Sequence, residues 1–174
     1  MPIERSGRRI GGPRLTRLAH ALLDASPLCA IATVGPRSRA HINTAYFAYT
    51  PALEIVWISE PGAAHSRNLE HNPAVAIAVF DSHQDWGGSD RGIQLFGAAG
   101  QPRGAKANGA IDAYRKRFAE YAPDELAAYH PYLFRPRRMK LFDEAALGSG
   151  VFVACTVDTR GHATWEATDV YKAS

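Results

Sequence analysis

The sequence predicts a mainly β, α+β domain: a small β-barrel with peripheral helices. Short apolar or alternating runs recur along most of the chain. They are separated by turn signals only a few residues long, and helical spacing is confined to a few short segments. Many short strands with few interposed helices suit a small barrel, not a doubly wound sheet. At 174 residues, with 46% hydrophobic and 21% charged residues, the chain is one domain large enough for a real core.

Residues 1–13, with Arg5, Arg8 and Arg9 among Gly and Pro, read as a flexible arm before a single domain over 14–174. Contact with nucleic acid is the functional reading of such an arm, but no aromatic residue interleaves it to stack on bases, so no nucleic-acid partner is expected. Pro13 to Ala25 places Leu15, Leu18, Ala19 and Leu22 at helical spacing, and Ser26-Pro27 ends that helix. Strands follow over 28–34, 40–49 and 53–59, with Leu53, Ile55 and Trp57 on one face. The stretch GAAHSRNLEHNPAVAIAVF, residues 62–80, reads as a short helix stopped at Asn72-Pro73 and followed at once by a strand. Residues 92–100 form another strand and 105–121 a helix with Ile111, Tyr114, Phe118 and Tyr121 on one side. A second helix is expected over 124–130, ended by Pro131, and short strands over 137–142, 151–158 and 162–168 close the chain.

Cys29 and Cys155 are isolated in apolar runs and read as buried thiols; two cysteines without CxxC spacing make no zinc site. Asp81, His83 and Asp85 lie in a Gly-rich loop with no further histidine to complete a metal set, so no metal is expected. No stretch reaches membrane-span length or resembles a signal peptide, which points to a cytoplasmic protein with no membrane partner. The only G-x-G, Gly148–Gly150, lacks the βαβ setting of a dinucleotide fingerprint.

Two constellations carry chemistry. A helix N-terminus exposes unpaired N–H groups and attracts anions; Gly62 allows close approach, and His65, Ser66 and Arg67 add donors and charge, so this turn either holds a phosphate ester or is a linker helix whose polar residues face solvent. Asn43 and Thr44 interrupt an apolar strand; either they hydrogen-bond the rim of a flat heterocycle with Tyr46 against its ring, or they form a polar outer face with Tyr46 in the core.

Read together, Ala32-Thr33-Val34, Trp57-Ile58-Ser59, Arg67-Asn68-Leu69 with Asn72-Pro73, and a strand ending in Phe96-Gly97 resemble the FMN-binding split-barrel superfamily, which includes the pyridoxamine 5'-phosphate oxidases. The resemblance covers residues 28–100. It implies a six-stranded Greek-key split barrel, a homodimer with two cofactor sites at the subunit interface, and an FMN-dependent oxidoreductase acting on a small molecule. It also implies cofactor contacts at Asn43, Thr44, Ala45 and Tyr46 along the isoalloxazine, at Ser59, and at the phosphate turn with His65, Ser66 and Arg67.

Ala64-His65 stands where the oxidases carry Arg-Lys, Asn43 where they carry an arginine, and Gly92 where they carry a flavin-contacting glutamine. No C-terminal arginine–histidine substrate motif appears in 151–174, so pyridoxamine phosphate oxidation itself is not expected. The alternatives left open are a deazaflavin- or haem-binding barrel, with His41 and His65 as candidate axial ligands, or a non-catalytic flavin-binding or sensing dimer. No side chain is assigned as catalytic; Tyr46 and His41 are the nearest acid–base candidates.

Overall fold

A computed structural model describes residues 3–81, 83–120 and 128–171. The elements run β1 (Ile3–Ser6), α1 (Gly12–Asp24), β2 (Leu28–Gly35), β3 (Arg39–Tyr46), β4 (Ala48–Tyr49), β5 (Ile55–Ser59), α2 (Ala64–His71), β6 (Ala74–Phe80) and β7 (Arg91–Gly100). Then come α3 (Ala105–Arg117), β8 (His130–Asp143), α4 (Glu144–Leu147), β9 (Val151–Val157) and β10 (Ala163–Tyr171). Among the described residues all strand pairs are antiparallel, which lets short turns join most of them.

Six strands make the expected split barrel, hydrogen-bonded in the order β3-β2-β6-β7-β8-β5. The sheet does not close: among the described residues β3 and β5 approach without pairing, leaving β3 as an edge. The alternation along the strands explains which side is filled. Ile31, Ile77, Ile93, Leu95 and Leu141 point inward with Ile55, Trp57 and Phe134, all at most 1% exposed. Each such side chain contributes ~1.5–3 kcal/mol on burial. Helix α1 closes one end of this core through Leu15, Ala19, Leu22 and Leu23.

β8 reaches further than its prolines suggest. Its first half pairs with β5 through Pro131 and its second half with β9, while β7 runs along its other edge. A bulge makes this possible: Phe96 faces Arg138 but Gly97 faces Pro136, so Arg137 is extra and the chain bends there. Only glycine fits at 97, because a Cβ would run into the Arg135 carbonyl.

Several sequence expectations need correction. The arm at 1–13 is partly structured: β1 pairs with β10, Arg5 bridges Asp169 at 2.8 Å, and the Arg8 and Arg14 guanidiniums donate to the Leu147 and Ala146 carbonyls. Arg9 lies over the Trp165 ring. Arginines that resemble a solvated charge run are therefore ties onto the far edge of the sheet. The strand expected over 40–49 is broken at Phe47, whose ring turns fully into the core. The helix expected at 105–121 ends at Arg117, and of the one expected at 124–130, residues 124–127 lie outside the described residues while His130 belongs to β8. Gly148 and Gly150 both take positive φ in the turn before β9, the structural reason for that G-x-G. No helix among the described residues is long and apolar enough to cross a membrane.

Candidate functional site at the open barrel edge

Helix α2 is short because its boundaries are fixed chemically. Pro61-Gly62 precede it, and Asn72 is driven to extended geometry by Pro73 (φ −142°, ψ 108°). Its inner face is tied to the barrel by Leu69 and by Asn68, whose side-chain amide donates to the buried Thr33 hydroxyl at 3.0 Å. No side chain caps its N-terminus, so the first-turn N–H groups are left for solvent or an anion.

The three polar residues of this turn have different jobs. Ser66 is buried, and its hydroxyl donates to the Glu60 carbonyl at 2.8 Å, closing the approach to the helix. Its hydroxyl therefore does not face a ligand. Arg67 is exposed and donates to the Gly62 carbonyl, holding a guanidinium at the mouth of the turn. His65 is half-buried, with Nε2 2.8 Å from the Ser59 hydroxyl at the end of β5. Burial, and after it the neighbouring His41, hold the His65 imidazole below its ordinary pKa and favour the neutral ring.

The pleat of β3 divides the residues expected to line a cofactor. His41, Asn43 and Ala45 point toward the barrel; Ile42, Thr44 and Tyr46 are exposed on the other face. His41 faces His65 with ring centroids 6.3 Å apart. His41 Nδ1 and Asn43 Oδ1 are both buried without a hydrogen-bond partner. Leaving one such atom unsatisfied costs ~1–3 kcal/mol, so each would gain by taking a hydrogen bond from outside the protein. Thr44 and Tyr46 do not join this group; Tyr46 packs edge-on against Phe118 at 5.7 Å.

The structure thus brings His41 to His65 and His65 to Ser59, with Asn43 on the same face of β3 as His41 and Arg67 in the same uncapped first turn of α2 as His65. His41, absent from the expected contacts, joins them because it is two residues before Asn43 on the same face. The signal for it was in the sequence: period-2 spacing in a strand puts residues 41, 43 and 45 side by side.

Gly92 has a separate explanation. A Cβ there would come within 3.0 Å or less of the Phe142 ring, which heads an aromatic row with Phe152 and Tyr171 beneath Lys140. The side chain missing at 92 is replaced by a neighbour's ring. Among the described residues, no group of three or more His, Cys, Asp or Glu side chains is placed to hold a metal. Both cysteine thiols are buried and free, with pKa values pushed up to about 12, chiefly by burial.

A family model described as Pyridoxamine 5'-phosphate oxidase matches residues 15–147. No curated protein matches the chain. Among solved structures, a heme binding protein from Mycobacterium smegmatis superposes with a TM-score of 0.67 at 18% identity, over 88% of this chain and 61% of that one. The chain therefore spans less than two thirds of that relative's length. A putative pyridoxamine 5'-phosphate oxidase from Listeria innocua gives 0.58 at 12% identity, over 73% of this chain and 97% of that one. An F420 reductase gives 0.54 at 20% identity, over 69% and 94%. At these identities the likeness is one of fold.

Proposed function

The chain belongs to the pyridoxamine 5'-phosphate oxidase-like split-barrel family, and from that premise we propose an FMN-dependent oxidoreductase that acts as a homodimer on a small organic molecule. The observation that carries the cofactor reading is the pair of buried, unpartnered atoms on β3, His41 Nδ1 and Asn43 Oδ1, next to the uncapped start of α2. In this reading Arg67, the first-turn N–H groups and Ser59 hold the phosphate. His65 would take a proton from solvent beside a bound dianion, recovering part of the charge that the resemblance implies is lost with the oxidases' Arg-Lys pair. Asn43 and the free edge of β3 would hydrogen-bond the ring system, and Ala45 lies on the same face of β3 as Asn43. Bound FMN supplies two-electron hydride acceptance and return; the chain's part is placement and exclusion of water.

The dimer reading rests on the outer face of the barrel. Ala30, Ala32, Ala76 and Ala78 lie side by side there, bordered by the exposed Leu28, Ile42, Phe80 and Phe96. A flat apolar surface next to a half-built ligand site suits a second copy of the chain.

Reconstitution tests the reading: after incubation with FMN and gel filtration, the protein peak carries flavin bands that bleach anaerobically with a hydride donor. A flavin that binds but resists NADH, NADPH and dithionite-linked turnover of every tested acceptor leaves a sensing or storage dimer. The facing His41 and His65 rings favour a second reading, haem ligation, which a Soret band after haemin addition establishes in place of the first.

A further inference from the structure

Past Tyr46 the chain of β3 turns inward at Phe47 and enters, at Ala48, the wall of a cavity of about 660 Å³. The cavity lies between α1, the turn after β4, and α3, and its size is that of a small-molecule site.

Its charges do not balance. Lys116 and Arg117 reach it from α3, while α1 contributes His20 and a single carboxylate, Asp24. That carboxylate is already engaged, accepting from the Tyr49 hydroxyl at 2.5 Å. The Tyr49 phenol stays protonated, its pKa pushed up to about 12 by burial and then by Asp24. Arg117 is held rigidly: Nη2 donates to the Leu23 and Ser26 carbonyls at 3.0 and 2.9 Å, and the guanidinium lies 4.4 Å from the Phe47 ring centroid. Its other terminal nitrogen, Nη1, is buried with no partner. Burial holds the Arg117 pKa below its ordinary value, as expected of a cation whose surroundings compensate it incompletely.

The Thr50 hydroxyl in the wall is engaged with Glu54, donating to its carboxylate at 3.4 Å and accepting from its N–H at 3.3 Å. Ala48, Pro51 and Ala113 offer no polar side chain, and the His20 and Tyr49 rings stand 5.6 Å apart at 41°. A charged end with one spare positive charge, joined to a shallow apolar body, describes the complement of an organic monoanion.

We propose that this cavity binds a small monocarboxylate with a flat apolar body, its carboxylate on Arg117 and Lys116 and its body against Ala48, Pro51 and Ala113. The cavity wall begins at Ala48, two residues past the end of β3; a substrate role for this ligand in the oxidoreductase is part of the proposal and rests on the cofactor reading above, whereas carboxylate binding itself does not.

The test is an equilibrium titration of the full chain with 2-naphthoate and with its neutral analogue 2-naphthamide. Naphthoate should bind at least about ten-fold tighter, the scale of one charge-assisted hydrogen bond. Lys116→Gln and Arg117→Gln should each shrink that preference. Since Arg117 also ties α3 to α1, Ala113→Met serves as the control that touches no charge: it should fill the cavity and remove both ligands while the melting temperature holds. Equal affinity for the two ligands, or undiminished binding in Ala113→Met, would overturn the proposal. FMN titrated into the same preparations separates the two readings: naphthoate binding without FMN binding leaves the carboxylate site standing and removes the cofactor, and the reverse removes the carboxylate site. In the FMN-loaded protein, naphthoate should perturb the flavin spectrum; an unchanged spectrum would remove the substrate role.

Discussion

His65 couples pH to both stability and ligand binding, with opposite signs. Its folded pKa is depressed, so the unfolded chain binds more protons than the folded one as pH falls through the ordinary histidine range near 6.5. The stability His65 contributes is complete above that range and is lost as pH drops toward the depressed folded value. The apoprotein should therefore melt at lower temperature at about pH 5 than at about pH 7, and His65→Gln should shallow that slope. A phosphate dianion favours the protonated ring, so FMN affinity should rise from about pH 8 to about pH 6, until the phosphate itself takes up a proton. Affinity flat across that span would contradict the role given to His65. Asn43 separates binding from folding in another way. Its buried Oδ1 has no partner, so Asn43→Leu should leave apoprotein stability unchanged or raise it by up to ~1 kcal/mol, while weakening FMN binding about ten-fold. Loss of both together, measured by thermal melts and FMN titration, would make Asn43 merely structural. At this scale the sequence was partly legible. Residue type singled out Asn43, His65 and Arg67, and the resemblance Ser59, all of which lie in the candidate site, but neither could tell that Ser66 spends its hydroxyl on Glu60, because that bond depends on how the chain enters α2.

Elements were read well where turn chemistry and periodicity agreed. Helix α2 lies within the segment bounded by Gly62 and Asn72-Pro73, and α1 differs by one residue at each end from the Pro13–Ala25 pattern. They were misread where a tertiary feature overrides a local signal. Pro131 and Pro136 argue against a strand, yet β8 runs through both, since one pairs only near the strand's start and the other sits at the bulge. Gly97 is the test of that account. Gly97→Ala forces a Cβ onto the Arg135 carbonyl and should destabilise the protein by ~3 kcal/mol, read as a drop in denaturation midpoint. A change under ~1 kcal/mol would mean the bulge relaxes freely. Asn68→Ala should cost ~2 kcal/mol and loosen α2, because it leaves the buried Thr33 hydroxyl without its donor.

For the whole molecule, the barrel and its family followed from the order of short strands and the markers between residues 28 and 100, since each strand's alternation fixes which face is core. The role of the first fourteen residues did not follow. Arg5, Arg8 and Arg14 find their partners more than 130 positions away in the chain, a distance no local pattern reveals. The apolar outer face sets the assembly prediction. In solution the mass should be twice the 18.9 kDa of one chain, and Ile42→Asp, on the face away from the candidate site, should halve it and remove FMN binding with it. A wild-type mass of one chain at micromolar concentration would refute the dimer. The central claim is that the start of α2 holds the phosphate of a flavin whose ring lies along β3. A parallel titration of the apoprotein with FMN, riboflavin and haemin tests it most directly. The account predicts FMN binding at least about ten-fold tighter than riboflavin, from the phosphate contacts alone, and no Soret band. Equal affinity for the two flavins, or a Soret band without flavin binding, would contradict it.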